Sequence, residues 1–168
     1  MAMIMTMMSI NAQREVYLFD TYDGMSPPTE IDIDNQGKSA RELLAENPKS
    51  TENYLWAYAP LEEVQKNISQ TRYPEHLLKF IVGKVEDTIP EQAPAQISLL
   101  RLDTDWYEST YHELVHLFPR LVSGGIIIID DYGHWQGSKK AVDQYINENN
   151  LRLFLHRIDY SGMIAVKQ

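Results

Sequence analysis

Residues 124–145 read GGIIIIDDYGHWQGSKKAVDQY. Four consecutive β-branched residues, Ile126–Ile129, predict a strand buried on both faces, because branched side chains fit the pleated interior of a sheet. Asp130 and Asp131 follow at once. Ser138 is placed to cap a helix whose apolar face is Ala141, Val142, Tyr145 and Ile146. A buried strand that ends in two acids and feeds an amphipathic helix is the unit of an α/β sheet with its ligands at the strand ends.

The same grammar extends in both directions. Upstream, Gln96–Leu102 predicts a strand ending at Asp103. Glu108–Leu121 carries Tyr111, Leu114, Val115, Phe118 and Leu121 on one helical stripe. Gly124-Gly125 then ends the connection. Further upstream, residues 15–20 (EVYLFD) and Leu77–Val82 predict two more strands, the second closed by Gly83. Ala40–Glu46 and Leu61–Ser69 predict helices. Residues 21–37, with Gly24, Pro27, Pro28 and Gly37, form a long loop of the kind that serves as a lid. Downstream, Arg152–Ile158 and Met163–Val166 flank Ser161-Gly162 as a hairpin. The opening MAMIMTMMSI has no basic residue before Arg14, so it reads as a helix packed on the core rather than a signal peptide, and it is too short to span a bilayer. One domain over residues 1–168 is expected.

Composition narrows the function. The net charge is −9, from 15 basic against 24 acidic residues, which argues against nucleic acid or an anionic membrane as the main partner. A cation suits such a chain better. There is no cysteine, hence no disulfide, thiolate nucleophile or Cys-ligated metal; a cytoplasmic protein is the expectation.

Acids stand just past three strand ends: Asp20, Asp103 with Asp105, and Asp130 with Asp131. Asp103, Asp130 and Asp131 together offer three carboxylate oxygens to one hard cation, and an all-oxygen set favours Mg²⁺ over Zn²⁺. Open positions on such an ion suit a substrate hydroxyl. Asp105 has two readings: a catalytic acid, or the N-cap of a helix with Glu108 three residues on as its capping-box partner. Asp20 either accepts hydrogen bonds from the ribose of a nucleotide-like cofactor or belongs to the Asp23-Gly24 turn. His134 is a base, a substrate contact or a surface histidine. His112 and His116 are i,i+4 but lack the glutamate of a zinc-protease motif.

The segments YLFDTYDGMSPPT (17–29), GKVEDTIP (83–90), LLRLDTDWYEST (99–110) and GGIIIIDDYGHWQGSKKAVDQY (124–145) resemble the macrocin O-methyltransferase family, whose members methylate sugar hydroxyls on macrolide and aminocoumarin antibiotics. The resemblance implies a Rossmann-like class I methyltransferase fold, mostly parallel with a C-terminal antiparallel hairpin, and the cofactors S-adenosylmethionine and Mg²⁺. It implies Asp103, Asp130 and Asp131 as metal ligands and Asp105 as general base; His134 stays a catalytic candidate on its place after the acid pair alone. Asp20, with its neighbour Thr21, would hold the cofactor ribose, and Gly83, Lys84, Val85 and Glu86 would line the adenine. The 21–37 loop would close over the site, and a sugar-like diol would be the small-molecule acceptor.

One departure from the family pattern shapes the expectation. No strand followed by a glycine-rich turn precedes Asp20; Gly124-Gly125 precedes a strand instead. The first, central strand is therefore expected to be lacking. That leaves a gap between the Asp20 and Asp103 strands, with three readings: the strands pair directly, a partner chain fills the gap by way of open edges that recruit it, or the chain is a truncated fragment. A non-catalytic methyltransferase-fold protein that binds metal or self-associates is the alternative function. A phosphohydrolase reading of FDTYDG fails on spacing, since Asp23 lies three residues after Asp20. A phosphoacceptor reading of IIIIDD fails because that acid pair belongs at the start of its domain.

Overall fold

The computed structural model describes residues 2–9 and 14–168. Its strands are β1 (Val16–Asp20), β2 (Leu78–Val82), β3 (Ile97–Leu102), β4 (Leu121–Ile129), β5 (His156–Arg157) and β6 (Met163–Val166). Its helices are α1 (Ala2–Ser9), α2 (Ala40–Glu46), α3 (Leu61–Ser69), α4 (Val85–Thr88), α5 (Tyr107–Leu117) and α6 (Gln136–Glu148).

β4 is the centre of a four-stranded sheet ordered β3-β4-β6-β5. It runs parallel to β3, with Leu99 opposite Ile126 and Leu102 opposite Ile129, and antiparallel to β6, with Ile126 opposite Val166. Ile127 and Ile129 are wholly buried among Leu100, Leu102, Leu114, Leu117, Val142 and Tyr145, each contributing about 1.5–3 kcal/mol by leaving water. Ile126 and Ile128 point the other way and are only half-buried. The expectation of a strand buried on both faces is thus met on one face, the face that α5 and α6 cover.

β1 and β2 form a separate two-stranded parallel sheet, with Val16 opposite Leu78 and Asp20 opposite Val82. Ile4 of α1, Ile68 of α3 and Tyr73 close its own small core over Val16. The apolar N-terminal run is therefore a core helix. Among the described residues, β1 pairs only with β2 and β3 only with β4. The Asp20 and Asp103 strands do not pair directly, and the expected gap between them is present.

Local readings needed four corrections. α5 stops at Leu117 and gives way to a 3-10 turn, Phe118–Arg120, because Pro119 has no N–H to continue the α ladder. β4 begins at Leu121 and passes through Gly124-Gly125 rather than starting after them. Ser138 does not cap α6, which starts at Gln136; its hydroxyl is buried with no hydrogen-bond partner. The first arm of the terminal hairpin is only His156–Arg157, and the Asp159 side chain closes the turn by accepting from Ser161 N and Gly162 N. Among the described residues no helix is long and apolar enough to cross a membrane.

Candidate active site

Parallel pairing brings the C-terminal ends of β3 and β4 to one rim. Asp130 N donates to Leu102 O at 2.9 Å, extending the ladder one residue into the acids. Asp131 O then accepts from His134 N and Trp135 N, turning the chain into α6. As a result Asp103, Asp130 and Asp131 each present a carboxylate oxygen within 4.8 Å of the others.

This cluster is short of positive charge. Arg101, from β3, reaches Asp130 Oδ1 at 2.7 Å and Asp103 Oδ2 at 3.0 Å. Asp131 accepts the Asp105 backbone N–H at 3.1 Å on Oδ2 and meets the Asp105 side chain, itself an acid. Desolvation and the neighbouring carboxylates of Asp105 and Asp103 push the Asp131 carboxyl up to about 9. Desolvation likewise raises Asp103 to about 6, against the pull of Arg101. Three converging carboxylates, one of them buried and lacking a cation, form a donor set that fits a hard divalent ion. Arg101 was not read from the sequence as part of the site; its place two residues before Asp103 on a parallel strand was the available signal.

Asp105 is not a helix cap. The residue before α5 is Trp106, and Asp105 stands in the left-handed region at φ 66°. Its Oδ1 accepts from the Trp135 indole N–H at 2.8 Å. Burial raises its pKa, opposed by its hydrogen bonds with Asp131 and Trp135. α5 takes its cap from elsewhere: the carboxylate of Asp32, fully buried, accepts from Tyr107 N at 2.8 Å through Oδ1. Its Oδ2 accepts from Thr29 N and Thr29 Oγ1, both at 2.7 Å.

The 21–37 loop is thereby a built wall. Ile33 O accepts from Gln136 N, Asp34 bridges Trp135, and Trp106 Nε1 donates to Ser26 O at 2.8 Å. Behind it Ala40, Leu44, Trp106 and Trp135 form a third apolar cluster.

A cavity of about 90 Å³ joins the two sheets at this rim, bounded by Asp20, Thr21, Gly83, Lys84, Val85, Glu86, Asp103 and Asp105 among others. Asp20 Oδ1 accepts from Tyr22 N at 2.7 Å. The Asp20 side chain stays open to solvent at the strand end, yet crowding by the pocket wall raises its pKa despite the backbone hydrogen bonds that oppose this. Thr21 Oγ1 donates to Gly24 O, so that hydroxyl is engaged within its own turn. Gly83 has φ 142° and donates its N–H to Asp20 O, tying β2 to β1. Asp130, Asp131 and His134 are not on the cavity wall; His134 stacks edge-on against Trp135 and meets Tyr160 Oη through Nδ1 at 3.2 Å. A larger open groove of about 660 Å³ lies between α3 and β2, by Lys66, Arg72 and Glu75. Among the described residues it gathers no acid cluster, and it shares no lining residue with the cavity at the strand ends.

A Rossmann-like sheet with carboxylates converging at its strand ends defines a class of α/β folds that bind small ligands at that rim. The family model for macrocin O-methyltransferase (TylF) matches residues 1–167, and the chain belongs to that family. A Streptomyces olivaceus protein described as 8-demethyl-8-(2,3-dimethoxy-alpha-L-rhamnosyl)-tetracenomycin-C 4'-O-methyltransferase is 31% identical over 150 residues, 89% of this chain and 54% of that protein. The demethyldecarbamoylnovobiocin O-methyltransferase of Streptomyces niveus is 29% identical, with the same coverage. Among solved structures, the O-methyltransferase NovP superposes with a TM-score of 0.78 at 26% identity, over 98% of this chain and 65% of that one. The chain spans about half the length of the curated relatives it matches.

Proposed function

We propose that this chain carries the acid-bearing half of an S-adenosylmethionine-dependent, Mg²⁺-assisted O-methyltransferase acting on a hydroxyl of a sugar or other diol. The observation that supports this most is the convergence of Asp103, Asp130 and Asp131 within 4.8 Å, beside Asp105 and a cavity that reaches Asp20. Related chains named as sugar and antibiotic O-methyltransferases point the same way.

In this reading Asp103, Asp130 and Asp131 hold the cation, which when bound lowers the pKa of an acceptor hydroxyl. Asp105, oriented by Trp135 on Oδ1, takes the hydroxyl proton. Asp20 holds the cofactor ribose, Gly83–Glu86 flank its base, and S-adenosylmethionine supplies a methyl group on a sulfonium. The chain's remaining work is alignment of acceptor oxygen and methyl carbon. Calorimetric titration of the purified protein with S-adenosylmethionine, with and without Mg²⁺, is the test. Micromolar binding, followed by methyl transfer to a sugar diol, is the expected result. A folded protein that binds no cofactor would sink the enzymatic reading for this chain and leave the non-catalytic alternative.

The edges of β1 and β3 that are unpaired among the described residues also support self-association, because unpaired strand edges recruit partners. Light scattering is expected to give a mass above 19.5 kDa; a monomer at all concentrations would overturn this.

A further inference from the structure

Four carboxylates crowd the rim, yet only three share a point. Asp103, Asp130 and Asp131 bring oxygens within 4.8 Å of one another. Asp105 lies two residues beyond Asp103, its own backbone N–H touches Asp131 Oδ2 at 3.1 Å, and its side chain hydrogen-bonds that of Asp131, but its carboxylate is not one of the three that converge. Two features keep it out. Its backbone is left-handed, at φ 66°, a conformation Asp tolerates better than most residues. Its Oδ1 is held by the indole N–H of Trp135 at 2.8 Å.

Trp135 is suited to holding an oxygen in place. It is 3% exposed and packs edge-on to Trp106, with ring centroids 4.9 Å apart. Its backbone N–H donates to Asp131 O, and it is bridged to Asp34 of the docked loop. An indole offers a single donor in a fixed direction, so the Asp105 carboxylate cannot swing without breaking that bond. An octahedral Mg²⁺ held by three carboxylates has up to three further oxygen positions, which water, an acceptor hydroxyl or another carboxylate in reach could fill. A fourth carboxylate would fill a position that an acceptor hydroxyl needs and would occupy the acid assigned to take its proton.

We infer that Trp135 is a positioning residue that withholds Asp105 from the cation's ligand set, so that one carboxylate of the cluster stays unligated. This rests on the Mg²⁺ reading given above. The test is Mg²⁺ affinity by calorimetry for wild type, Trp135→Phe, Asp105→Asn and the double variant. Freed from the indole, Asp105 is expected to join the cation, so Trp135→Phe binds Mg²⁺ about tenfold more tightly, within the range by which second-layer partners tune metal sites. Asp105→Asn is expected to stay within about threefold of wild type, as is the double variant, since an acid that makes no bond to the ion contributes only its solvent-screened charge. Unchanged or weaker binding by Trp135→Phe, or a tenfold loss in Asp105→Asn, overturns the inference while leaving the metal reading intact. No Mg²⁺ binding by any protein overturns both. Should Trp135→Phe fail to fold, the indole ¹H–¹⁵N resonance of Trp135 in wild type decides: it is expected to keep its hydrogen-bonded downfield position at saturating Mg²⁺. An upfield move to the position of a free indole would mean that Asp105 has left for the cation, contrary to the inference.

Discussion

Gly137→Ala is expected to destabilise the protein by roughly 3 kcal/mol, a fall of about 10 °C in Tm for a domain of this size. On propensity alone the opposite would be predicted, since alanine in the first turn of α6 should gain up to about 1 kcal/mol over glycine. The decisive contact is tertiary. A Cβ at position 137 would sit 2.0 Å from Asp32 Oδ1 and 3.1 Å from Tyr107 N. Asp32 cannot yield cheaply, because that oxygen caps α5 and its partner oxygen holds Thr29. Moving it strands buried donors that a charged acceptor satisfied. A double-mutant cycle isolates the cause: in an Asp32→Ala background, Gly137→Ala should cost less than about 1 kcal/mol, because the clashing carboxylate is gone. Thermal unfolding of the four proteins is the measurement, and a neutral Gly137→Ala in the wild-type background would refute the account.

The same residues show what a single sequence can and cannot reveal. Ile126–Ile129, the stripe on α5, and the helices Ala40–Glu46 and Leu61–Ser69 were legible because their signals are local: period, β-branching, and the breakers Pro48 and Pro60. The convergence of Asp103 with Asp130 and Asp131 was legible because parallel strands deliver their ends to one rim. The caps were not. Asp105-Glu108 and Ser138 both fit local capping patterns, but the real cap of α5 comes from a residue 75 positions away. Asp32 sits in a loop of alternating acids whose composition says only that it turns. Arg101 and Trp135 escaped for the same reason. Each acts through a partner 29 or 30 residues distant, and nothing in their own neighbourhood distinguishes them from a strand-edge arginine or a packed tryptophan. The Asp105 backbone, at φ 66°, is the clearest case: it departs from the helical start that local pattern favours, and the departure coincides with the site. That is where local rules are expected to fail.

In metal-free buffer, stability is expected to fall as pH rises from about 4 to about 9, and Mg²⁺ is expected to restore it at the upper end. Asp131 is pushed up to about 9, Asp103 to about 6, and the buried Glu113, which accepts from Thr104 Oγ1, to about 8, all led by desolvation. An unfolded carboxyl titrates near 4. Between those values the folded chain holds more protons than the unfolded one, so the stability tied to the protonated acids is complete below about pH 4 and is lost as pH climbs through the folded values. A divalent ion binds only the ionised carboxylates. Its stabilisation therefore grows over the same interval in which the metal-free protein weakens. Asp131→Asn separates this from a general alkaline effect. The amide keeps an acceptor for Asp105 N but carries no charge. The metal-free variant is thus expected to be more stable than metal-free wild type at pH 8, by about 5 °C or more, while its gain from Mg²⁺ disappears. Thermal scans at pH 5 and pH 8, with chelator or Mg²⁺, give all the terms. A wild type whose Tm is flat in pH and indifferent to Mg²⁺ would mean that Arg101 alone balances the acids and that no cation belongs among them.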